Sequence, residues 1–131
     1  MRTVTLLCAL CLGGCAVFAT METMEGGLHA LMGKKETEAF IALGEPTVRV
    51  HVGDKTVNVW SVTVSTPETK VSTGPELSDY YVEAAREDSC EIKLVADREG
   101  TLIRSEYEGN SVGCMLYSEA LLDYMRSRPK P

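Results

Sequence analysis

The 131-residue sequence predicts a single α+β domain: two short N-terminal helices packed on a small antiparallel sheet of about four strands, with a C-terminal helix. Three observations point there. The length is that of one domain. Apolar residues recur at helical spacing near both ends and alternate at two-residue spacing through the middle. The 44% apolar and 24% charged composition is that of a chain with a core rather than a disordered one. The net charge of −6 argues against nucleic acid, whose binding needs phosphates neutralised, and favours basic or zwitterionic partners.

The elements follow in order. Thr20 to Gly27 is polar and reads as a tether. Met24, Leu28, Leu31 and Met32 then fall on one helical face, weakened at its start by Gly26 and Gly27 at about 1 kcal/mol each. Gly33 separates this helix from a second over Lys35 to Leu43, which Gly44 stops and Pro46 prevents from continuing. Val48, Val50 and Val52 alternate with polar residues up to a Gly53-Asp54 turn. The β-branched run Val57 to Val64 resumes as the second half of a hairpin, with Trp60 expected in the core. Ser65 to Gly74 reads as a loop and Asp79 to Asp88 as a short helix. Cys90, Ile92 and Leu94 alternate into the Asp97 to Gly100 turn, and Leu102, Ile103, Ser105 and Tyr107 form the return strand, with Tyr107 expected in the core. Glu108 to Gly113 reads as a flexible return to Cys114. A last helix is expected from Ser118, carrying Leu121, Leu122, Tyr124 and Met125, with residues 128–131 as a tail.

The first residues carry a different message. Arg2, an apolar run from Val4 to Leu12 and small residues after it describe a secretory signal. A helix from Val4 to Ala19 would be about 24 Å long, short of the roughly 30 Å hydrocarbon core of a bilayer. The junction Leu12-Gly13-Gly14-Cys15 resembles the lipobox of bacterial lipoproteins, in which the thiol is joined to diacylglycerol, the signal is cut just before it and the new amine is acylated. That resemblance implies a signal over 1–14, lipidation at Cys15, a tether over 15–27 and a domain over 28–127. Ala16, which is not an aspartate, implies the outer membrane, periplasmic face, with the bilayer held through N-terminal acyl chains. An ordinary cut after Ala19, at Val17-Phe18-Ala19, is the alternative, and it gives a soluble periplasmic or secreted product.

Either cut leaves Cys90 and Cys114 in the folded part. In an oxidising compartment such a pair reads as one disulfide, contributing about 3 kcal/mol by closing its loop; two buried free thiols are the alternative.

Leu31-Met32-Gly33-Lys34 through Leu43-Gly44-Glu45-Pro46 resembles the opening of the SmpA/OmlA small lipoproteins, the BamE-like family. The run Cys90 to Leu94, Asp97 to Gly100 and Tyr107 to Cys114 resembles a set of small proteobacterial lipoproteins that place tryptophan where Tyr107 stands. The first resemblance implies two helices on a small antiparallel sheet and a non-enzymatic role in an envelope complex. A fourth strand and a terminal helix depart from that pattern.

Catalytic patterns are sparse. His29 and His51 stand apart without metal-ligand spacing, and no Gly-x-Ser-x-Gly, Ser-x-x-Lys or phosphate-binding glycine loop occurs. Glu106 and Glu108 share a strand face, as a solvated edge that discourages strand pairing. No cofactor, metal or catalytic residue is therefore expected. Tyr80 and Tyr81 are candidate interaction residues, since tyrosine is enriched at interfaces. The expected function is a lipid-anchored, non-enzymatic scaffold of an envelope complex whose protein partner the sequence does not name. The alternative is a periplasmic inhibitor or binder of a basic hydrolase such as a lysozyme. Loss of the segment bearing Arg2 leaves 12 basic and 19 acidic residues, a net charge of −7 that would steer a cationic partner.

Overall fold

A computed structural model describes residues 15–72 and 80–128, with side chains placed over 20–68 and 84–128. The elements are α1 (Cys15–Leu31), α2 (Glu36–Leu43), β1 (Val48–Val52), β2 (Lys55–Thr66), β3 (Thr69–Ser72), β4 (Tyr80–Glu83), β5 (Arg86–Ala96), β6 (Leu102–Gly109) and α3 (Ser111–Ser127). β1, β2, β5 and β6 form an antiparallel sheet in the order β1-β2-β5-β6, and β3 pairs with β4 in a two-stranded ribbon. The expected α+β class, helix pair, sheet and terminal helix are all present.

The two-residue period of the strands sorts their side chains. Asn58 and Trp60 of β2 and Cys90, Ile92, Leu94 and Ala96 of β5 point to the helices and are buried. Onto them pack Met24, Leu28 and Leu31 of α1, Ala39 and Ala42 of α2, and Cys114, Tyr117, Leu121 and Tyr124 of α3. Trp60 is 1% exposed. Its ring centroid lies 6.2 Å from that of Phe40. Its Nε1 donates to the carbonyl of Gly44 at 2.9 Å, so the indole is buried with its one donor satisfied. Gly44 can offer that carbonyl because it ends α2 at φ 80°, with its own N–H donating to Phe40 O.

The turn between β5 and β6 is tied to the connection between α1 and α2. Gly33 N–H donates to Leu102 O, Leu102 N–H to Lys34 O and Glu36 N–H to Gly100 O, each at 2.8 Å. Within the turn, Asp97 Oδ1 accepts from the N–H groups of Glu99 and Thr101.

Several boundaries differ from the sequence expectation. The tether expected over 15–27 is helical from Cys15 onward, and Met24 is fully buried. Gly26 and Gly27 do not break α1, because tertiary packing outweighs their low propensity. A Cβ on Gly27 would lie 2.7 Å from Leu121 Cβ, so glycine is what lets α1 and α3 approach. No helix forms over Asp79 to Asp88: Tyr80–Glu83 is β4 and β5 begins at Arg86. The loop expected from Ser65 is likewise strand through Thr66 and again over Thr69–Ser72. Tyr80, Tyr81 and Val82 favour strands, and here they have cross-strand partners, with Val71 opposite Tyr81. Residues 73, 74 and 79 of those expectations lie outside the described residues. α3 begins at Ser111 rather than Ser118, because Asn110 caps it. Arg128, expected in the tail, lies over the Tyr124 ring at 4.9 Å and pairs with Glu38 at 2.9 Å. Residues 129–131 and the expected signal over 1–14 lie outside the described residues.

Between Val95 and Ala96 the β5–β6 register shifts, so that Leu102 is buried while Ile103 is 49% exposed.

Candidate functional site

Two of the candidate site residues meet at the end of the sheet where β6 stops and α3 starts. Cys90 and Cys114 lie there, 1% and 0% exposed, bonded at an S–S distance of 2.05 Å with Cα atoms 4.9 Å apart. The expected disulfide is present. It holds the first turn of α3 against β5, and the packing beside it is tight: a Cβ on Gly113 would lie 2.3 Å from Ser89 O. Gly109 and Gly113, which the sequence offers as a flexible return, are thus a close contact between helix and strand.

A short polar chain fixes the same corner. Asn110 Oδ1 accepts from Gly113 N–H at 2.8 Å, and Asn110 Nδ2 donates to Asp88 Oδ1 at 2.8 Å. Arg86 Nε lies 3.3 Å from Asp88 Oδ2, near enough for ion pairing but not aligned for a hydrogen bond. Asp88 is only 7% exposed, so its carboxylate positions the cap residue of α3 rather than meeting solvent. The sequence signal for this was Asn110 itself, a favoured N-cap residue, legible as a cap only once the helix start is known.

Tyr107 is half-buried rather than fully in the core. Its hydroxyl reaches Met21 Sδ at 3.8 Å and Glu25 Oε1 at 3.5 Å, linking β6 to α1. Burial first, then the charge of Glu25, pushes its pKa up. The Tyr117 hydroxyl is likewise pushed up, by burial.

On the face of the sheet away from the helices, Glu87, Ser89, Glu91, Glu108, Gly109 and Asn110 line an open hollow of about 450 Å³. Lys93 pairs with Glu91 at 2.9 Å and Arg104 with Glu106 at 2.7 Å. The hydrogen bond to Glu91, and then its charge, raises the pKa of Lys93. Glu106 and Glu108 both lie on this solvated face, Glu106 opposite Lys93 and Glu108 opposite Glu91.

The remaining expected residues do not join this corner through described side chains. Tyr80 and Tyr81 stand in β4, opposite Ser72 and Val71, and their side chains lie outside the described residues. Cys15 is the first described residue of α1, and its side chain also lies outside them. His29 is exposed on α1, and His51 shares a hydrogen bond with Thr56 on the β1–β2 hairpin. Among the described residues no group of three or more His, Cys, Asp or Glu side chains is arranged to hold a metal ion. No helix among them is long and apolar enough to cross a membrane.

Fold and corner together define a small α+β domain whose terminal helix is stapled to its sheet by a buried disulfide. No family model, curated protein or solved structure matches the chain.

Proposed function

We propose that this protein is a non-enzymatic module of the cell envelope, anchored by acyl chains on Cys15 at the periplasmic face of the outer membrane, where it scaffolds or stabilises an envelope complex. The observation that carries this reading is the Cys90–Cys114 bridge, taken with the lipobox resemblance of Leu12-Gly13-Gly14-Cys15. Disulfides persist in oxidising compartments, and the lipobox resemblance at Cys15 supports the periplasm as that compartment. The resemblance of Leu31 to Pro46 to the SmpA/OmlA lipoproteins supports the scaffold role.

The experiment is crosslinking and pull-down of the tagged protein from intact envelopes, beside a Cys15→Ser copy. A discrete set of partners that disappears with Cys15→Ser is the expected result. Partners indifferent to that substitution would remove the anchored scaffold. Alanine at both Tyr80 and Tyr81 is expected to weaken the same recovery.

The glutamates of the open hollow favour one second reading, a binder of a basic hydrolase. Its association rate would fall steeply with salt, because charge steering is screened over about 10 Å at 0.1 M. A flat salt dependence would exclude it.

A further inference from the structure

Two features of the chain converge at one end of the helical layer. α1 and α3 run in the same sense along the sheet. Ser118 Oγ donates to Thr20 O at 3.4 Å, Gly27 meets Leu121 further along, and past the end of α1 Gly33 is bonded to Leu102 while Tyr124 reaches Glu38 of α2. The Cys15 end of α1 and the start of α3 therefore both lie towards the Gly109 end of β6. α3 opens there with Val112, Met115 and Leu116, which are 40%, 48% and 60% exposed on the side turned away from the buried Cys114, Tyr117 and Leu121. α3 has no acidic residue of its own in its first turn, although the helix dipole favours one there. The glutamates of the open hollow, Glu87, Glu91 and Glu108, lie on the opposite face of the sheet.

α1 is helical from Cys15, so helix joins that residue to the domain. Five residues of helix, about 7.5 Å, lead from Cys15 to Thr20. Thr20 touches Ser118, which stands two residues after Leu116.

We propose that Val112, Met115 and Leu116 form a bilayer-facing patch. The first turns of α3 lie in the membrane interface beside the acyl chains of Cys15, and the domain stands on the lipid surface in one orientation. This rests on the Cys15 anchor proposed above. The occupant is lipid rather than protein because the chain's own attachment point brings these side chains to the bilayer. An exposed apolar helix face held at such a surface buries itself about 5–10 Å deep, at the boundary of headgroups and acyl chains.

The test uses the full chain, recovered from envelopes and reconstituted in phosphatidylcholine vesicles whose lipids carry bromine in the upper part of the acyl chains. Leu116→Trp reports on the patch. Val52→Trp, at a site 60% exposed and at the far end of the sheet, is the comparator. Trp60, 1% exposed, is the common background. Intact mass reports separately whether Cys15 is acylated. The expected result is an acylated chain in which Leu116→Trp loses about half of its added emission to bromine and shifts to the blue, while Val52→Trp does neither. An acylated chain with no quenching at Leu116→Trp, or with equal quenching at both sites, overturns the patch and leaves the anchor standing. An unacylated chain overturns the anchor. The patch is then judged by adding the same vesicles to that chain: quenching confined to Leu116→Trp retains it, and none overturns it.

Discussion

The two faces of the four-stranded sheet are built from the same strands and are treated oppositely. Towards the helices, β5 presents Cys90, Ile92, Leu94 and Ala96, none more than 1% exposed. Away from them, β1 presents Val48, Val50 and Val52 at 45–60% exposure, and β5 and β6 present Glu91, Lys93, Arg104 and Glu106 in ion pairs. β1 inverts the usual pattern. Its valines face solvent, while Arg49, on the covered side, pairs with Glu36 and lies 5.9 Å from the Phe40 ring. Apolar alternation therefore tells which residues share a face but not which face is covered; the reach of the helices decides that. α2 brings Glu36, and with it a partner for Arg49 and for buried Asn58, whose Nδ2 donates to Glu36 Oε2 at 3.1 Å.

The contrast can be tested by substitution on each side. Trp60→Ala on the covered face removes the largest core side chain and its bond to Gly44, and is expected to destabilise by about 3–5 kcal/mol in chemical denaturation. A loss below about 1 kcal/mol would mean that the covered face is not tightly packed. Cys114→Ser is expected next, at about 3 kcal/mol, with the melting temperature falling accordingly. Non-reducing peptide mapping should find Cys90 linked to Cys114 in the parent, and free thiols there would contradict the bridge.

Tyr124 supplies a pH test of the same face. Its hydroxyl is pushed up to about 12, chiefly by burial and then by the hydrogen bond to Glu38 and its charge, with Arg128 acting the other way. In the unfolded chain it titrates near 10. Its contribution to stability is therefore complete below pH 10 and is lost as pH rises through about 12. Tyr124→Phe is expected to flatten that alkaline decline in melting temperature, and an unchanged decline would assign it to other groups. The smallest effect belongs to the open face: Val50→Thr is expected to change stability by no more than about 0.5 kcal/mol. A larger loss in the isolated protein would show that the valine stripe is already covered in solution.

Much of this was legible in the sequence. The period-two runs around Trp60 and Ile92, the Gly44 stop and the Asp97 turn mark the sheet and the second helix because each is a local signal with a local cause. Three features were not. The strand identity of Tyr80 to Glu83 depends on pairing with residues about ten positions earlier, which no local pattern reveals. The helical state of residues 20–27 depends on Leu121, far away in sequence, filling the space that Gly27 leaves. The start of α3 at Ser111 depends on Asp88 orienting Asn110. At the site, the cysteine pair was readable from its arithmetic. The role of Gly113 was not, since a glycine needed for close approach looks the same in sequence as one needed for a turn.

The bridge also divides the molecule by origin. Both its cysteines lie after the β3–β4 ribbon, so it staples β5, β6 and α3 to one another and leaves α1, α2, β1 and β2 joined to them by the chain through the ribbon and by non-covalent contacts, the Arg128–Glu38 ion pair among them. A single cut between Ser72 and Tyr80 would yield two pieces with no covalent link. The second would keep its own crosslinked hairpin and helix. The first would depend on the long β2–β5 ladder, from Thr56 opposite Ala96 to Thr66 opposite Arg86, to stay in place. A cut at that place would thus separate a crosslinked half from one held to it without covalent bonds.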